Sequence, residues 1–268
     1  MSSAVEEHVL YQIANAQMRE YPYAHLYVED VFPDDFYREL RANWPDASSL
    51  VCLGDTGRVP KNAYRERFVM PFTPAEVGKL NDERRPFWQE FASWLLTERF
   101  MTAMIDRFEP YVKARFGDDI YRCGFEADSL IVRDVTNFNI GPHTDAPHRL
   151  LSMLFYCPDD ASLSHLGTSI YVPRDPQFVC GGGPHYPHKL FHKVKTMEYK
   201  PNTLFAFIKS DRSFHGVEPI GDPDVLRDIL LYDVRVFAPE KKAQPGAGAA
   251  KPGLGLGILK RLFSSKHD

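Results

Sequence analysis

The second half of the chain is a series of short segments rich in β-branched and aromatic residues, and this series constrains the fold more than any other feature. Turn signals such as Pro158-Asp159-Asp160 and Gly221-Asp222-Pro223 separate the segments. Many short strands between such turns are typical of antiparallel sandwiches and jelly rolls. We predict strands over residues 128–134, 150–157, 168–173, 193–199, 203–208 and 226–237.

The first half of the chain has a different, mostly helical pattern. We predict a helix over residues 4–20, a strand over 25–32, a helix over 36–44, and one or two amphipathic helices over 84–116. The aromatic residues of the last region recur at helical spacing, which favours core packing over a cofactor site. Helices followed by many short strands indicate an α+β fold with a mainly β core.

One domain accounts for most of the chain. A length of 268 residues with 44% hydrophobic residues is enough to bury one substantial core. We therefore predict a single domain over residues 1–238, with a helix-and-strand part at 1–118 and a jelly-roll core from about 119. Residues 239–268 differ in composition: a Gly-, Ala- and Pro-rich linker leads into a short basic amphipathic end. We interpret this segment as a flexible tail, and a contact with a membrane surface or a partner is the alternative.

Composition and charge exclude several classes of function. A net charge of −4 and a pI near 6.2 give no basic footprint, so nucleic acid is not an expected partner. The opening residues carry acids where a secretory signal needs bases, and no apolar run of about 18 residues predicts a membrane span. We expect a cytoplasmic protein. Its cysteines are interpreted as free thiols: Cys52, Cys123, Cys157 and Cys180.

The segment NIGPHTD, which ends at Asp145, contains two candidate metal ligands. If His143 and Asp145 lie on one strand, their side chains point to the same face and could bind one ion. An imidazole and a carboxylate suit iron(II), manganese or zinc. His215 follows seventy residues after Asp145, shortly after an apolar predicted strand. It would complete a 2-His-1-carboxylate facial triad, which leaves coordination positions open for other ligands.

Arg227 stands at the start of the last predicted strand. On that strand it shares a face with Ile229 and Leu231, so its side chain should point into an apolar interior. A buried guanidinium needs an anionic partner, which a bound carboxylate could supply in a bidentate pair. The alternatives are a salt bridge to Asp224 or Asp228, or an arginine that faces water at the strand end.

The HTD motif at 143–145, His215 in the run FHGV and Arg227 together resemble the Fe(II)- and 2-oxoglutarate-dependent oxygenase superfamily, especially its prolyl-hydroxylase-like bacterial members. The likeness runs from about residue 125 to 237. It implies a double-stranded β-helix, a cupin-like jelly roll with N-terminal and packing helices. The mouth of this barrel would hold iron(II) on the three candidate ligands.

The resemblance also implies an activity and a co-substrate site. It implies a dioxygenase that uses O2 and 2-oxoglutarate, releases succinate and CO2, and hydroxylates an unactivated C–H bond. Arg227 would bind the distal carboxylate of 2-oxoglutarate, and Tyr156, on the strand after the HTD motif, would hydrogen-bond the same group. Halogenases of this superfamily typically have a small residue at the position of Asp145, so the carboxylate here favours hydroxylation. We expect a small-molecule substrate, with a peptide or protein as the alternative.

Two other functions fit a barrel with this motif. One is a metal-binding cupin with isomerase or lyase chemistry, which would not need an inward Arg227. The other is a non-catalytic binding barrel, which would more easily have lost one of its ligands, whereas His143, Asp145 and His215 are all present.

A loop after the glycines at 181–183 carries His185, His188 and His192. A second metal site is one interpretation, but prolines make the spacing irregular, and we predict instead a loop over the barrel mouth, where a histidine or Tyr186 contacts substrate. Arg133 and Arg149 lie near the predicted mouth. They could bind an anionic group of the substrate or form ordinary ion pairs.

Overall fold

The computed structural model describes residues 2–237, so the predicted tail at 239–268 lies outside the described residues. All α-helices of the described part lie before residue 117. They are α1 Ser2–Asn15, α2 Asp34–Ala42, α3 Pro74–Val77, α4 Arg85–Leu95, α5 Glu98–Arg107 and α6 Glu109–Phe116. Within residues 2–237, no helix has the length and apolar character needed to span a bilayer.

The β-strands form two antiparallel sheets. The strands are β1 His25–Glu29, β2 Val51–Cys52, β3 Arg67–Pro71, β4 Gly124–Val135, β5 Ile140–His143, β6 Arg149–Tyr156, β7 Thr168–Pro173, β8 Phe191–Met197, β9 Thr203–Ile208, β10 His215–Val217 and β11 Leu226–Phe237. The larger sheet has seven strands in the order β1-β9-β6-β11-β4-β3-β2, and the smaller has four in the order β5-β10-β7-β8.

The two sheets face each other and enclose the inner core. The ring of Phe207 on β9 lies 4.5 Å from that of His215 on β10, and Tyr156 on β6 accepts a hydrogen bond from the amide of Thr168 on β7. Two antiparallel sheets joined in this way form a jelly roll. The predicted α+β fold with a mainly β core and a double-stranded β-helix is confirmed.

Both faces of the larger sheet are buried, and side chains alternate between them along each strand. On β11, Ile229 belongs to the inner core between the sheets, whereas Leu230 and Tyr232 belong to the outer core beneath the helices. A strand buried on both faces has no polar alternation, which is why the strand segments read as almost continuous apolar runs.

The helices cover the outer face of the larger sheet through a cluster of aromatic side chains. The ring of Phe32, which follows β1, stacks on Phe155 of β6 at 5.4 Å and meets the edge of Phe91 of α4 at 5.7 Å. Phe91 and Phe155 are both completely buried. The aromatic residues predicted over 84–116 therefore pack in the core, as the pattern indicated.

The helical bounds differ from the predicted ones at three points. The first helix ends at Asn15 rather than at residue 20, and the strand predicted over 25–32 ends at Glu29, next to Asp30, which has a φ of +52°. Residues 84–116 form three helices, not one or two. Thr97 caps α5 by accepting from the amide of Phe100, and a proline in the first turn of α6 begins a new helix.

All six strands predicted from the second half are present. Four other strands of the described part were not predicted: β2 and β3 from the first half, and the short strands β5 and β10. Three of them matter for the site, because β3 carries Arg67, β5 carries His143 and β10 carries His215. The first-half strands β1, β2 and β3 all join the larger sheet, so this sheet draws on both parts of the chain. All four cysteines are free, as interpreted from the sequence.

Candidate metal centre

Three side chains predicted as metal ligands converge at one end of the barrel. In the described part of the chain, His143, Asp145 and His215 are the group that could hold an ion, with one ligand atom from each within 4.8 Å of the others. The histidines lie opposite each other in the register of β5 and β10, with ring centroids 4.3 Å apart. Asp145 lies two residues beyond the end of β5. His143 and Asp145 therefore do not share the strand on which the sequence interpretation relied, and the chain that follows β5 brings the carboxylate to the histidines.

Backbone carbonyls orient both imidazoles for metal binding. Nδ1 of His143 donates to the carbonyl of Gly141 at 3.0 Å, and Nδ1 of His215 donates to the carbonyl of Ser213 at 2.9 Å. A histidine that donates through Nδ1 presents the lone pair of Nε2, which is the usual arrangement of a metal-binding histidine. The two Nε2 atoms therefore fit a shared metal ion.

Asp145 is held ionised by its neighbours. Burial opposes its ionisation, but the guanidinium of Arg149 and then His215 hold the pKa of this carboxyl well below its usual range. Arg149 donates from Nη1 to Oδ1 at 2.9 Å, and Ser152 donates to Oδ2 at 2.8 Å. Burial, followed by the charge of His215, lowers the pKa of His143 to about 3. His143 therefore offers a neutral imidazole and Asp145 a carboxylate, the forms that bind a divalent cation.

Arg227 points into the barrel, as its position on β11 predicted, and it is completely buried. Its ion-pair partner is Asp134, whose Oδ2 lies 2.7 Å from Nη1. The salt bridge to Asp224 or Asp228 that the sequence suggested is not formed. The Nε atom donates to the carbonyl of Leu166 at 2.6 Å, and Nη2 donates to Oγ1 of Thr168 at 3.5 Å. Of the five N–H groups of a guanidinium, one on each terminal nitrogen remains for another acceptor.

Asp134 is shared between Arg227 and a second arginine that the sequence did not single out. Arg67 on β3 donates to both carboxylate oxygens of Asp134, at 2.6 and 2.9 Å. Arg67 lies outside the region that resembles the oxygenases, on a strand that was not predicted, so only the register of β3 and β4 brings it to the site.

Tyr156 lies beside Arg227 in the inner core. Its ring centroid is 5.8 Å from the guanidinium carbon, and its hydroxyl accepts from the amide of Thr168 at 3.1 Å. Tyr156 thus packs against Arg227 and fixes the start of β7. Its predicted hydrogen bond to a co-substrate stays a prediction.

A single cavity joins the candidate ligands to Arg227. It offers about 80 Å³ of space to water, and its wall contains His143, Asp145, His215, Arg67 and Arg227. A group bound to the ion can therefore reach either arginine without leaving the cavity.

Of the three histidines predicted on one loop, His185 lies beside the candidate ligands, whereas His192 lies on β8. The ring of His185 is 4.6 Å from that of His143, and its Nε2 is 3.0 Å from the hydroxyl of Tyr64. The amide of Tyr186 donates to the carbonyl of Pro142 on β5 at 2.9 Å. Residues from two loops, Tyr64 and His185, therefore meet beside His143.

The two arginines predicted near the mouth have different positions. Arg149 lines the cavity and bonds both Asp145 and Asp233. Arg133 points to the outer face of the larger sheet, where it pairs with Asp228 at 2.7 Å. The suggestion that Arg133 faces a substrate is therefore wrong, because Arg133 and Asp134 are consecutive on β4 and point to opposite faces.

No protein-family model and no curated protein matches the chain. Among solved structures, it is similar to a prolyl-4-hydroxylase from Pseudomonas putida, with 16% identity, a TM-score of 0.48, and coverage of 85% of this chain and 96% of that one. It is also similar to the non-heme alpha-ketoglutarate-dependent epimerase SnoN of nogalamycin biosynthesis, with 14% identity, a TM-score of 0.47, and coverage of 92% and 90%. HygX from Streptomyces hygroscopicus, with nickel and 2-oxoglutarate bound, gives 12% identity, a TM-score of 0.43, and coverage of 84% and 91%. Similarity at this level carries no argument about activity, so the fold and the site rest on the geometry described above.

Proposed function

We propose that the chain is an Fe(II)- and 2-oxoglutarate-dependent dioxygenase that hydroxylates an unactivated C–H bond. The observation that carries the proposal is the convergence of His143, Asp145 and His215, with both imidazoles held by backbone carbonyls, in one cavity with Arg227. Two imidazoles and one carboxylate on one face are the ligand set of non-heme iron(II) oxygenases.

The residues present fit this cofactor and co-substrate. His143, Asp145 and His215 would hold the iron, and Arg227 would bind the distal carboxylate of 2-oxoglutarate through the two terminal N–H groups that remain available. When bound, iron(II) with 2-oxoglutarate and O2 supplies the oxidising power for C–H hydroxylation, with succinate and CO2 as by-products. The chain itself would contribute the three ligands and a buried cationic anchor that lines the same cavity.

The proposed substrate is a small molecule or metabolic intermediate. Tyr64 and His185, from two loops, meet through a 3.0 Å hydrogen bond beside the candidate ligand His143. Loops packed beside the candidate ligands favour a small molecule over a folded protein, and a peptide is the alternative.

The proposal is tested by mixing anaerobic protein with iron(II) and 2-oxoglutarate and recording the visible metal-to-ligand charge-transfer band. We expect a band in the wild type and none in His143→Ala. In Arg227→Ala, the concentration of 2-oxoglutarate needed should rise roughly 10- to 100-fold, as expected for the loss of a charge-assisted hydrogen-bonding partner.

Arg133→Ala is the matched control. This arginine is also an ion-paired residue of the larger sheet, but it lies on the outer face. Its loss should leave the band and the 2-oxoglutarate requirement unchanged. If folded, iron-loaded wild type gives no band, the oxygenase proposal fails, and a metal-binding cupin with isomerase or lyase chemistry becomes the better explanation.

A further inference from the structure

Three side chains of alternating charge form a row across adjacent strands of the larger sheet. Asp134 on β4 is the register partner of Arg227 on β11 and also of Arg67 on β3. All three side chains point into the barrel, and Asp134 and Arg227 are completely buried. Two guanidiniums thus share one carboxylate, and the row carries a net positive charge.

This charge has no further partner in the described part of the chain. Within residues 2–237, Asp134 is the acidic partner of both arginines. Arg149, the other guanidinium in the cavity wall, does not change the balance, because the carboxylate of Asp145 pairs with it. A charge held away from water is costly unless it is paired, so the row favours one bound anion, and the distal carboxylate proposed for Arg227 would neutralise the row.

Arg67 is the more exposed of the two arginines of the row, and both line the cavity. Its side chain is 15% exposed, whereas that of Arg227 is fully buried. Two of its five N–H groups donate to Asp134, which leaves three for another acceptor. The guanidinium carbon lies 4.3 Å from the ring centroid of Phe138, a buried residue, so the group is held in place.

We infer that Arg67 binds an anionic oxygen group of the substrate, a carboxylate or a phosphate, while Arg227 holds the co-substrate. The inference rests on the proposed function and narrows it to anionic small molecules. Arg227 has one free N–H on each terminal nitrogen, enough for one carboxylate. Arg67 has three, in the same cavity, and its edge toward Asp134 is already occupied. A second anion therefore has its own binding group.

The test measures binding of a second anion without turnover. Protein labelled with 15N is loaded with Zn(II), which stands in for iron and is redox-inert, and is saturated with 2-oxoglutarate. Acetate and inorganic phosphate are then titrated as separate probes, followed by calorimetry and by the Nε–H resonance of Arg67, assigned by its loss in Arg67→Gln. We expect one of the two probes to shift this resonance. The affinity of the protein for that probe should fall by about tenfold or more in Arg67→Gln.

Two matched variants make the result specific. In Arg133→Gln, which alters an ion pair on the outer face of the same sheet, the probe should bind as in the wild type. In Arg67→Gln, the affinity for 2-oxoglutarate should change by less than about twofold. In Arg227→Gln, the affinity for 2-oxoglutarate should fall strongly. Arg67→Lys keeps the charge and should retain part of the probe binding, which covers the case in which Arg67→Gln does not fold.

Three outcomes would overturn the inference. The first is that neither acetate nor phosphate binds the wild type that already holds 2-oxoglutarate. The second is that the probe binds Arg67→Gln as well as the wild type. The third is that Arg67→Gln weakens 2-oxoglutarate as much as Arg227→Gln does, since both arginines would then belong to the co-substrate site. If 2-oxoglutarate itself fails to bind the metal-loaded wild type, the proposed function fails and the inference falls with it.

Discussion

Ser152 connects the candidate ligand Asp145 to the larger sheet. Its hydroxyl, on β6, donates to Oδ2 of Asp145 at 2.8 Å, and both side chains are buried. Because Asp145 lies beyond the end of its own strand, this hydrogen bond helps fix the carboxylate. We expect Ser152→Ala to lower the affinity for Fe(II) or Co(II) by about 10- to 100-fold, the usual effect of losing a partner that orients a ligand.

Ser129→Ala serves as the control for this measurement. Ser129, on β4, is also buried, and its hydroxyl donates to the carbonyl of Leu231 at 2.8 Å, with no contact to a ligand. Metal titrations followed by protein fluorescence should separate the two variants. Equal metal affinity in Ser152→Ala and Ser129→Ala would show that Ser152 does not orient Asp145.

Asp233 should make stability depend on pH. Burial is the main cause that raises the pKa of this carboxyl to about 7, against the opposing charge of Arg149. In the unfolded chain it ionises near 4, so the folded state binds an extra proton between these values. The contribution of Asp233 to stability is therefore full below about pH 4 and is lost as the pH rises through about 7.

The measurement is the free energy of unfolding of Asp233→Asn and of the wild type by chemical denaturation. Asparagine keeps the shape and cannot ionise. The variant should gain about 2–3 kcal/mol relative to the wild type between about pH 5 and pH 8, at about 1.4 kcal/mol for each pH unit up to the pKa. A constant difference over this range would mean that Asp233 is already ionised in the folded protein at pH 5.

At the scale of residues, the sequence motif predicted the candidate ligands, and the alternation of side chains along a strand predicted which way Arg227 points. The sequence identified His143, Asp145 and His215 because their types and spacing match a metal site, and strand parity gave the inward direction of Arg227. The partners Asp134, Arg67 and Ser152 could not be predicted, since each contact depends on which strands are neighbours and in which register. The same uncertainty explains why Asp224 and Asp228 were considered for Arg227 and Asp134 was not.

At the scale of elements, β10 carries His215 and lies between β5 and β7. Gly216 allows β10 to approach β5 closely. A Cβ atom on Gly216 would lie 2.5 Å from the carbonyl oxygen of Ile140 on β5, a contact with backbone that cannot move aside easily. Gly216→Ala should push β10 away from β5 and separate His215 from His143. We expect a loss of about 1–3 kcal/mol of stability together with weaker metal binding.

Gly221→Ala, five residues along the chain, is the matched control. No atom in the described part of the chain lies within 4 Å of a Cβ built there. This variant should bind metal normally and unfold close to the wild type. Normal metal affinity in Gly216→Ala would contradict the view that close approach of β5 and β10 sets the distance between the histidines.

Element length decided which strands the sequence could predict. The long strands β4 and β11 contain enough β-branched and aromatic residues, and β6 enough apolar residues, to be recognised by composition. Strands β5 and β10 have four and three residues, and β5 contains a glycine and a proline, so neither shows a periodic pattern. They exist because each pairs with a neighbour in the smaller sheet, which is a tertiary effect.

On the scale of the whole molecule, the larger sheet separates the packed helices from the cavity. Residues of β6 alternate between the two sides: Phe155 belongs to the outer core and Tyr156 to the inner core. The layer order could be predicted from helices followed by strands. Which apolar residue faces which layer could not be predicted, because strands that are buried on both faces carry no polar marker.

Because the larger sheet separates the helices from the cavity, loss of an aromatic ring on the helix side should lower stability alone. Loss of a ring on the cavity side should lower both stability and metal affinity. Phe91 of α4 and Phe207 of β9 are both completely buried, but only Phe207 contacts a candidate ligand, with its ring 4.5 Å from that of His215. Each substitution to alanine should cost about 3–5 kcal/mol of stability. At a temperature where both variants are folded, Phe91→Ala should bind Co(II) like the wild type.

Phe207→Ala should bind the metal more weakly, because the cavity left beside His215 frees its imidazole to rotate away from the other ligands. Thermal unfolding gives the stability of each variant, and Co(II) titration gives its metal affinity. If Phe91→Ala weakens metal binding as much as Phe207→Ala, the sheet transmits changes in helix packing to the site. The positions of the ligands would then depend on the outer core as well as on the hydrogen bonds that hold them.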